Sequence, residues 1–68
     1  MDPRDVLYAV EMFLHDGGLY RGKVELDLGT LCDMGDGCWV VQSIKPCGYF
    51  FKLEYSLRGT LYAVLHQQ

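Results

Sequence analysis

A change of hydrophobic period at Gly17-Gly18 limits the fold of this chain more than any other feature. Before that pair, apolar residues recur at helical spacing; after it they alternate. At about 100° per residue, Val6, Leu7, Val10, Phe13 and Leu14 fall in one sector with Ala9 at its edge. Arg4, Asp5, Glu11, His15 and Asp16 fall opposite. That separation predicts a helix over residues 3–15. Asp2 can accept from the free amides at its start, Pro3 suits the first helical position, and Asp5 lies near the positive end of the helix dipole. Gly17-Gly18 supplies a left-handed stop. The competing reading is a strand, because Val6, Tyr8, Val10 and Phe13 are good strand formers and Asp16-Gly17-Gly18 could turn a hairpin. Read with period two, however, both faces of 6–14 are mostly apolar, so the helix accounts for the pattern better.

From Leu19 the period is two. Tyr20, Gly22, Val24, Leu26 and Leu28 alternate with Arg21, Lys23, Glu25 and Asp27, which predicts a half-buried strand. Gly29 to Gly37 is less regular and ends in the turn Met34-Gly35-Asp36-Gly37, with Thr30 to Asp33 expected to pair only briefly. Cys38 to Lys45 forms a second strand, followed by a turn at Lys45-Pro46-Cys47-Gly48. A third strand places Tyr49, Phe51, Leu53, Tyr55 and Leu57 on one face and Phe50, Lys52, Glu54, Ser56 and Arg58 on the other. After a turn at Gly59, Thr60 to His66 forms a fourth, with Leu61, Ala63 and Leu65 facing one way. Short connections favour antiparallel neighbours. The fold class is therefore α+β: an N-terminal helix on a curled antiparallel sheet of four to five strands, in one domain spanning residues 1–68. The alternative is an all-β, five-stranded small barrel.

Sixty-eight residues bury only about 60% of their unfolded surface. Half of them are hydrophobic and 13% aromatic, more than so small a core needs. Part of that apolar supply is expected on the surface, as a contact site. The net charge of −3 carries no basic stripe of the kind that marks a dedicated nucleic-acid binder. Cys32, Cys38 and Cys47 are odd in number and lack a CxxC pair, which points to free thiols in a reducing, cytoplasmic compartment. A zinc site would need His15 or His66 as a further ligand, and no metal or other cofactor is expected. No apolar run reaches the roughly 18 residues of a membrane span, and the N-terminus lacks the order of a signal peptide.

Catalytic constellations are thin, and no enzyme is expected. Side chains one apart on a helix diverge by about 100°, so His15 and Asp16 make a poor dyad. His66 lies near the C-terminus, and Ser43 and Ser56 have no local motif. Asp27, Asp33 and Asp36 lack the regular spacing of a calcium loop and read as solvated turn residues.

Two surfaces remain as candidates. Tyr20, Arg21 and Lys23 on one strand, with Tyr49, Phe50 and Lys52 on another, could set stacking aromatics beside cations for RNA or DNA. The spacing Asp16-Gly17-x-x-Tyr20-x-Gly22-x-Val24 resembles the first motif of Sm-like RNA-binding proteins. It has no second motif, and Leu28 stands where that family places an acidic residue. The resemblance implies RNA binding and a strand in place of the helix.

The second surface is apolar where a monomer should be polar. Tyr8 and Met12 are one turn apart in the charged sector of the helix. Phe50 shares a face with Lys52 and Glu54, Tyr62 and Val64 lie opposite Leu61-Ala63-Leu65, and Trp39 and Val41 are candidates to join them. Large aromatics among charges are typical of recognition surfaces. The leading expectation is a non-enzymatic protein-interaction module, an accessory or inhibitory factor that self-associates as a homodimer or small oligomer. Its contacts would be Tyr8, Met12, Trp39, Phe50 and Tyr62. The alternative is a small RNA- or DNA-binding domain acting through Tyr20, Arg21, Lys23 and Lys52.

Overall fold

A computed structural model describes residues 1–66. Helix α1 spans Pro3–Asp16, and the expected start devices are in place: the Asp2 carboxylate accepts from the Arg4 N–H at 2.9 Å and Pro3 opens the first turn. At the other end Gly18, at φ 67°, takes the left-handed turn, and the Leu19 N–H donates back to the Leu14 carbonyl at 2.9 Å. Val6, Ala9, Val10 and Leu14 are buried. The buried stripe is thus centred closer to Ala9 than the wheel implied, leaving Leu7 and Phe13 half-buried on its flank.

Four strands follow: β1 (Glu25–Gly35), β2 (Cys38–Lys45), β3 (Phe50–Tyr55) and β4 (Leu61–Leu65). They form an antiparallel sheet in the order β1-β2-β3-β4. The sheet stays open, with β1 and β4 at its two edges, so the five-stranded barrel reading does not hold. The strand reading of the first segment, which the Sm-like resemblance required, is likewise replaced by α1.

The first strand departs most from expectation. It begins at Glu25 rather than Tyr20 and runs through the stretch expected to be irregular. Its predicted first half has nothing to pair with, because β2 ends at Lys45, opposite Glu25. Tyr20 instead folds back, its hydroxyl donating to the Lys23 carbonyl at 3.1 Å. A Cβ on Gly22 would lie 2.7 Å from that hydroxyl oxygen, so any larger residue there would have to displace the Tyr20 ring. At the far end Asp36 and Gly37 both have positive φ, 55° and 75°, in the two-residue turn between Gly35 and Cys38. Such turns match the twist of paired strands, which explains why pairing continues up to Gly35.

The core lies between α1 and one sheet face. Phe51 and Leu53 of β3, Val41 of β2 and Ala63 of β4 are buried there with Val24 and the helix stripe. Register fixes which neighbours share this face: Trp39 lies opposite Leu53, Val41 opposite Phe51, and Leu53 opposite Ala63. The placement of Trp39 and Val41 with the exposed residues is therefore corrected. Both point to the helix side; Val41 is fully buried, and Trp39 meets Tyr55 edge-on at 5.9 Å. Leu57, expected on this same face, lies beyond β3 in the turn before Gly59 and is fully exposed.

Candidate functional site

The two edges of the sheet are built differently. Along β1, the five steps from Asp27 to Cys32 face only two on β2, from Gln42 to Val40. The extra residues bulge out and satisfy one another. The Asp27 carboxylate accepts from the Gly29 N–H at 3.2 Å, and the Thr30 hydroxyl donates to the Asp27 carbonyl at 2.6 Å. The same hydroxyl oxygen accepts from the Gln42 N–H at 2.8 Å. Asp33 closes a similar turn on the Gly35 N–H at 2.8 Å. Bulges are a usual protection of an edge strand against unwanted pairing. They also give Asp27, Asp33 and Asp36 turn-forming roles.

No such device occurs on β4. Its pairing with β3 runs without a bulge from Tyr55–Leu61 to Phe51–Leu65. The Ser56 N–H donates to the Thr60 carbonyl and the His66 N–H to the Phe50 carbonyl, both at 2.8 Å. Hydrogen-bonded and non-bonded pairs alternate in an antiparallel ladder. Between those two bonds, Tyr62 and Val64 therefore turn their main chain toward β3. Leu61, Ala63 and Leu65 direct their N–H and C=O groups away from the sheet.

Helix α1 packs mainly against this strand and overhangs it. Between them runs a groove of about 600 Å³, lined on the helix by Tyr8, Met12, Phe13 and Asp16 and on the strand by Thr60 through Ala63. Tyr8 is 65% exposed and Met12 41%. Tyr62 borders the groove through β4 while its ring lies on the open sheet face, 40% exposed, with its hydroxyl donating to Glu54 at 3.0 Å. Of the five predicted contact residues, Tyr8, Met12 and Tyr62 are thus gathered at one edge. Phe50 is half-buried on the open face between Gln42 of β2 and His66, and Trp39 is on the core side. Sequence reasoning did not single out the outward main-chain groups of Leu61, Ala63 and Leu65. The available signal was the short alternating stretch Leu61–Leu65, which becomes an edge only through the strand order β1-β2-β3-β4.

The nucleic-acid candidates are not united. Tyr20, Arg21 and Lys23 precede β1 in an irregular segment, whereas Lys52 projects from β3 on the open face. The Lys52 ammonium is 2.8 Å from Glu54, whose other carboxylate oxygen takes the Tyr62 hydroxyl. The hydrogen bond from Lys52, and then the one from Tyr62, hold the Glu54 carboxyl below its ordinary range. Glu54 in turn pushes both Lys52 and Tyr62 upward, in each case chiefly through its hydrogen bond. All three side chains are solvent-facing, so this network is worth little in stability; its effect is to fix the Tyr62 ring beside the edge.

The other reactive side chains have structural placements. Cys32, Cys38 and Cys47 are free thiols. Among the described residues no three His, Cys, Asp or Glu side chains converge where a metal ion could sit. Ser43 is buried, its hydroxyl donating to the Pro46 carbonyl, and Ser56 accepts from the Arg58 and Thr60 amides within its turn. No described helix is long and apolar enough to cross a membrane. Compared with protein-family models, curated proteins and solved structures, the chain matches none.

Proposed function

We propose that this chain is a non-enzymatic protein-interaction module whose contact surface is the β4 edge beneath α1. The observation that supports it is the coincidence, at one edge, of unpaired main-chain groups with exposed Tyr8 and Met12 over an apolar groove. A strand edge left regular and apolar is a ready template for pairing with another chain. The opposite edge is interrupted by bulges, and among the described residues β4 has none. Aromatic and methionine side chains are enriched at interface centres and supply much of their energy. A protein partner, a second copy of the chain included, would meet the same surface. The free thiols fit a reducing compartment such as the cytoplasm.

Association is tested by light scattering across a concentration series, alone and with candidate partners, on the parent chain and on Tyr8→Glu and Met12→Glu. Both side chains are exposed, so the variants keep the fold, and circular dichroism checks this. Each should weaken association by about tenfold or more, a loss of 1.4 kcal/mol. Association equally strong in both variants would refute the surface.

A further inference from the structure

We infer that the β4 edge receives an extended segment of another protein, apolar at alternate positions and cationic at both ends, which adds to the sheet as a fifth strand. This rests on reading the chain as an interaction module and names the chemistry of its partner. Leu61, Ala63 and Leu65 present main-chain donors and acceptors in a row, at the spacing another extended backbone can satisfy together. Side chains of such a strand would alternate between the groove under Tyr8 and Met12 and the open face beside the Tyr62 ring. Both of its faces would therefore meet aromatic or methionine neighbours.

Charge decides whose strand it is. Beside the groove lies a second recess, sharing Tyr8, Thr60 and Leu61 with it and lined also by Asp5. Across the two, the charged lining residues are Asp5 and Asp16, and no Lys, Arg or His is among them. Both carboxylates are exposed. Eleven residues along a helix amount to about three turns, so the pair shares a face and is separated by roughly 16 Å. Five strand residues span about 17 Å. The groove is thus bracketed by negative charge at a spacing that matches the length of β4. A second copy would bring the same two carboxylates to the same edge, on a body that already carries −3. A segment with a basic residue at each end would neutralise both.

The probe is the capped peptide Lys-Thr-Val-Thr-Val-Thr-Lys, with Glu-Thr-Val-Thr-Val-Thr-Glu as its control. Each is titrated at low salt into the isotopically labelled full chain, and amide resonances and amide exchange are followed. The lysine peptide should bind about tenfold more tightly than the glutamate peptide. At saturation it should slow exchange at the Leu61, Ala63 and Leu65 amides roughly tenfold or more, with little change at Tyr62 and Val64, which already face β3. Leu65→Pro removes an outward donor at an exposed strand end without touching the β3 ladder, and should cost about tenfold in binding. Asp5→Asn combined with Asp16→Asn should erase the preference for lysine.

Equal binding of the two peptides, or no binding of the lysine peptide at millimolar concentration, overturns the inference. A dimer that protects the same three amides without any peptide also overturns it, by making a second copy the occupant, but leaves the interaction reading standing. If the edge amides stay unprotected with every peptide and the chain stays monomeric at all concentrations, both readings fail.

Discussion

Leu53→Ala should unfold much of the margin this chain has, whereas Leu65→Ala should hardly register. The two leucines lie on the same sheet face, on adjacent strands, but Leu53 is fully buried and Leu65 is 38% exposed. Removing the Leu53 side chain beyond Cβ loses about 2.4 kcal/mol of apolar transfer at roughly 0.8 kcal/mol per carbon. Its cross-strand neighbours are Trp39, held against Tyr55, and Ala63, which has nothing to extend into the space. The site therefore collapses poorly, which puts the cost at about 3–4 kcal/mol within the usual 2–5 range. A chain of this size has about 3–10 kcal/mol in all. The melting temperature should fall by more than about 12 °C. Leu65→Ala should cost about 1 kcal/mol or less. Guanidinium unfolding followed by circular dichroism, with Trp39 fluorescence as a second probe, measures both. Equal costs would refute the assignment of β3 to the centre of the core and β4 to a free edge.

Other substitutions test other parts of the structure. Ser43→Ala should destabilise by about 1–3 kcal/mol in the same assay, because the Pro46 carbonyl loses its buried donor; a neutral result would remove Ser43 as the tie that holds the β2–β3 connection. Gly59→Ala should cost about 1–2 kcal/mol, since the residue sits at φ 83° before β4, and an unchanged midpoint would contradict that turn. Glu54 titrates below its ordinary range in the folded chain, so its small contribution is present above that range and fades as pH falls through the lowered value. Tyr62 titrates above its range, so its contribution is present at neutral pH and fades as pH rises through the raised one. Glu54→Gln should flatten both limbs of the stability–pH curve, and an unaltered curve would show the network to be inert.

The helix was legible because local chemistry and periodicity agree on it: Asp2, Pro3 and Gly17-Gly18 bracket one apolar stripe. Strands β2 to β4 were legible for the same reason, with Phe51, Leu53 and Ala63 inward where alternation put them. Strand β1 was misread at both ends. Alternation in Tyr20 to Val24 is real, and Val24 is buried, but a strand exists only where a partner exists, and β2 stops at Lys45. The bulge between Asp27 and Cys32 scrambled the pattern farther on. The pair Asp36-Gly37, a strong signal for a two-residue hairpin turn, should have extended the strand up to Gly35. Trp39 was misplaced because β2 is apolar on both faces, so its inward side became visible only through its register with Leu53. Tyr8 and Met12 could be singled out on the wheel alone. Their grouping with the main chain of β4 could not, because it depends on which element the helix covers.

That packing of the first element on the last strand sets the order in which the chain can be completed. During synthesis from the N-terminus, α1 emerges first, yet its stripe from Val6 to Leu14 has its main cover only once β4 has followed some 45 residues later. The β1–β2–β3 meander can form from neighbouring segments in the meantime, with low loop-closure cost. A nascent chain therefore carries a half-covered apolar sheet and a loose amphipathic helix until Leu61 to Leu65 arrive. At that stage the exposed edge belongs to β3, and the same strand that completes the domain also carries the edge forward by one position.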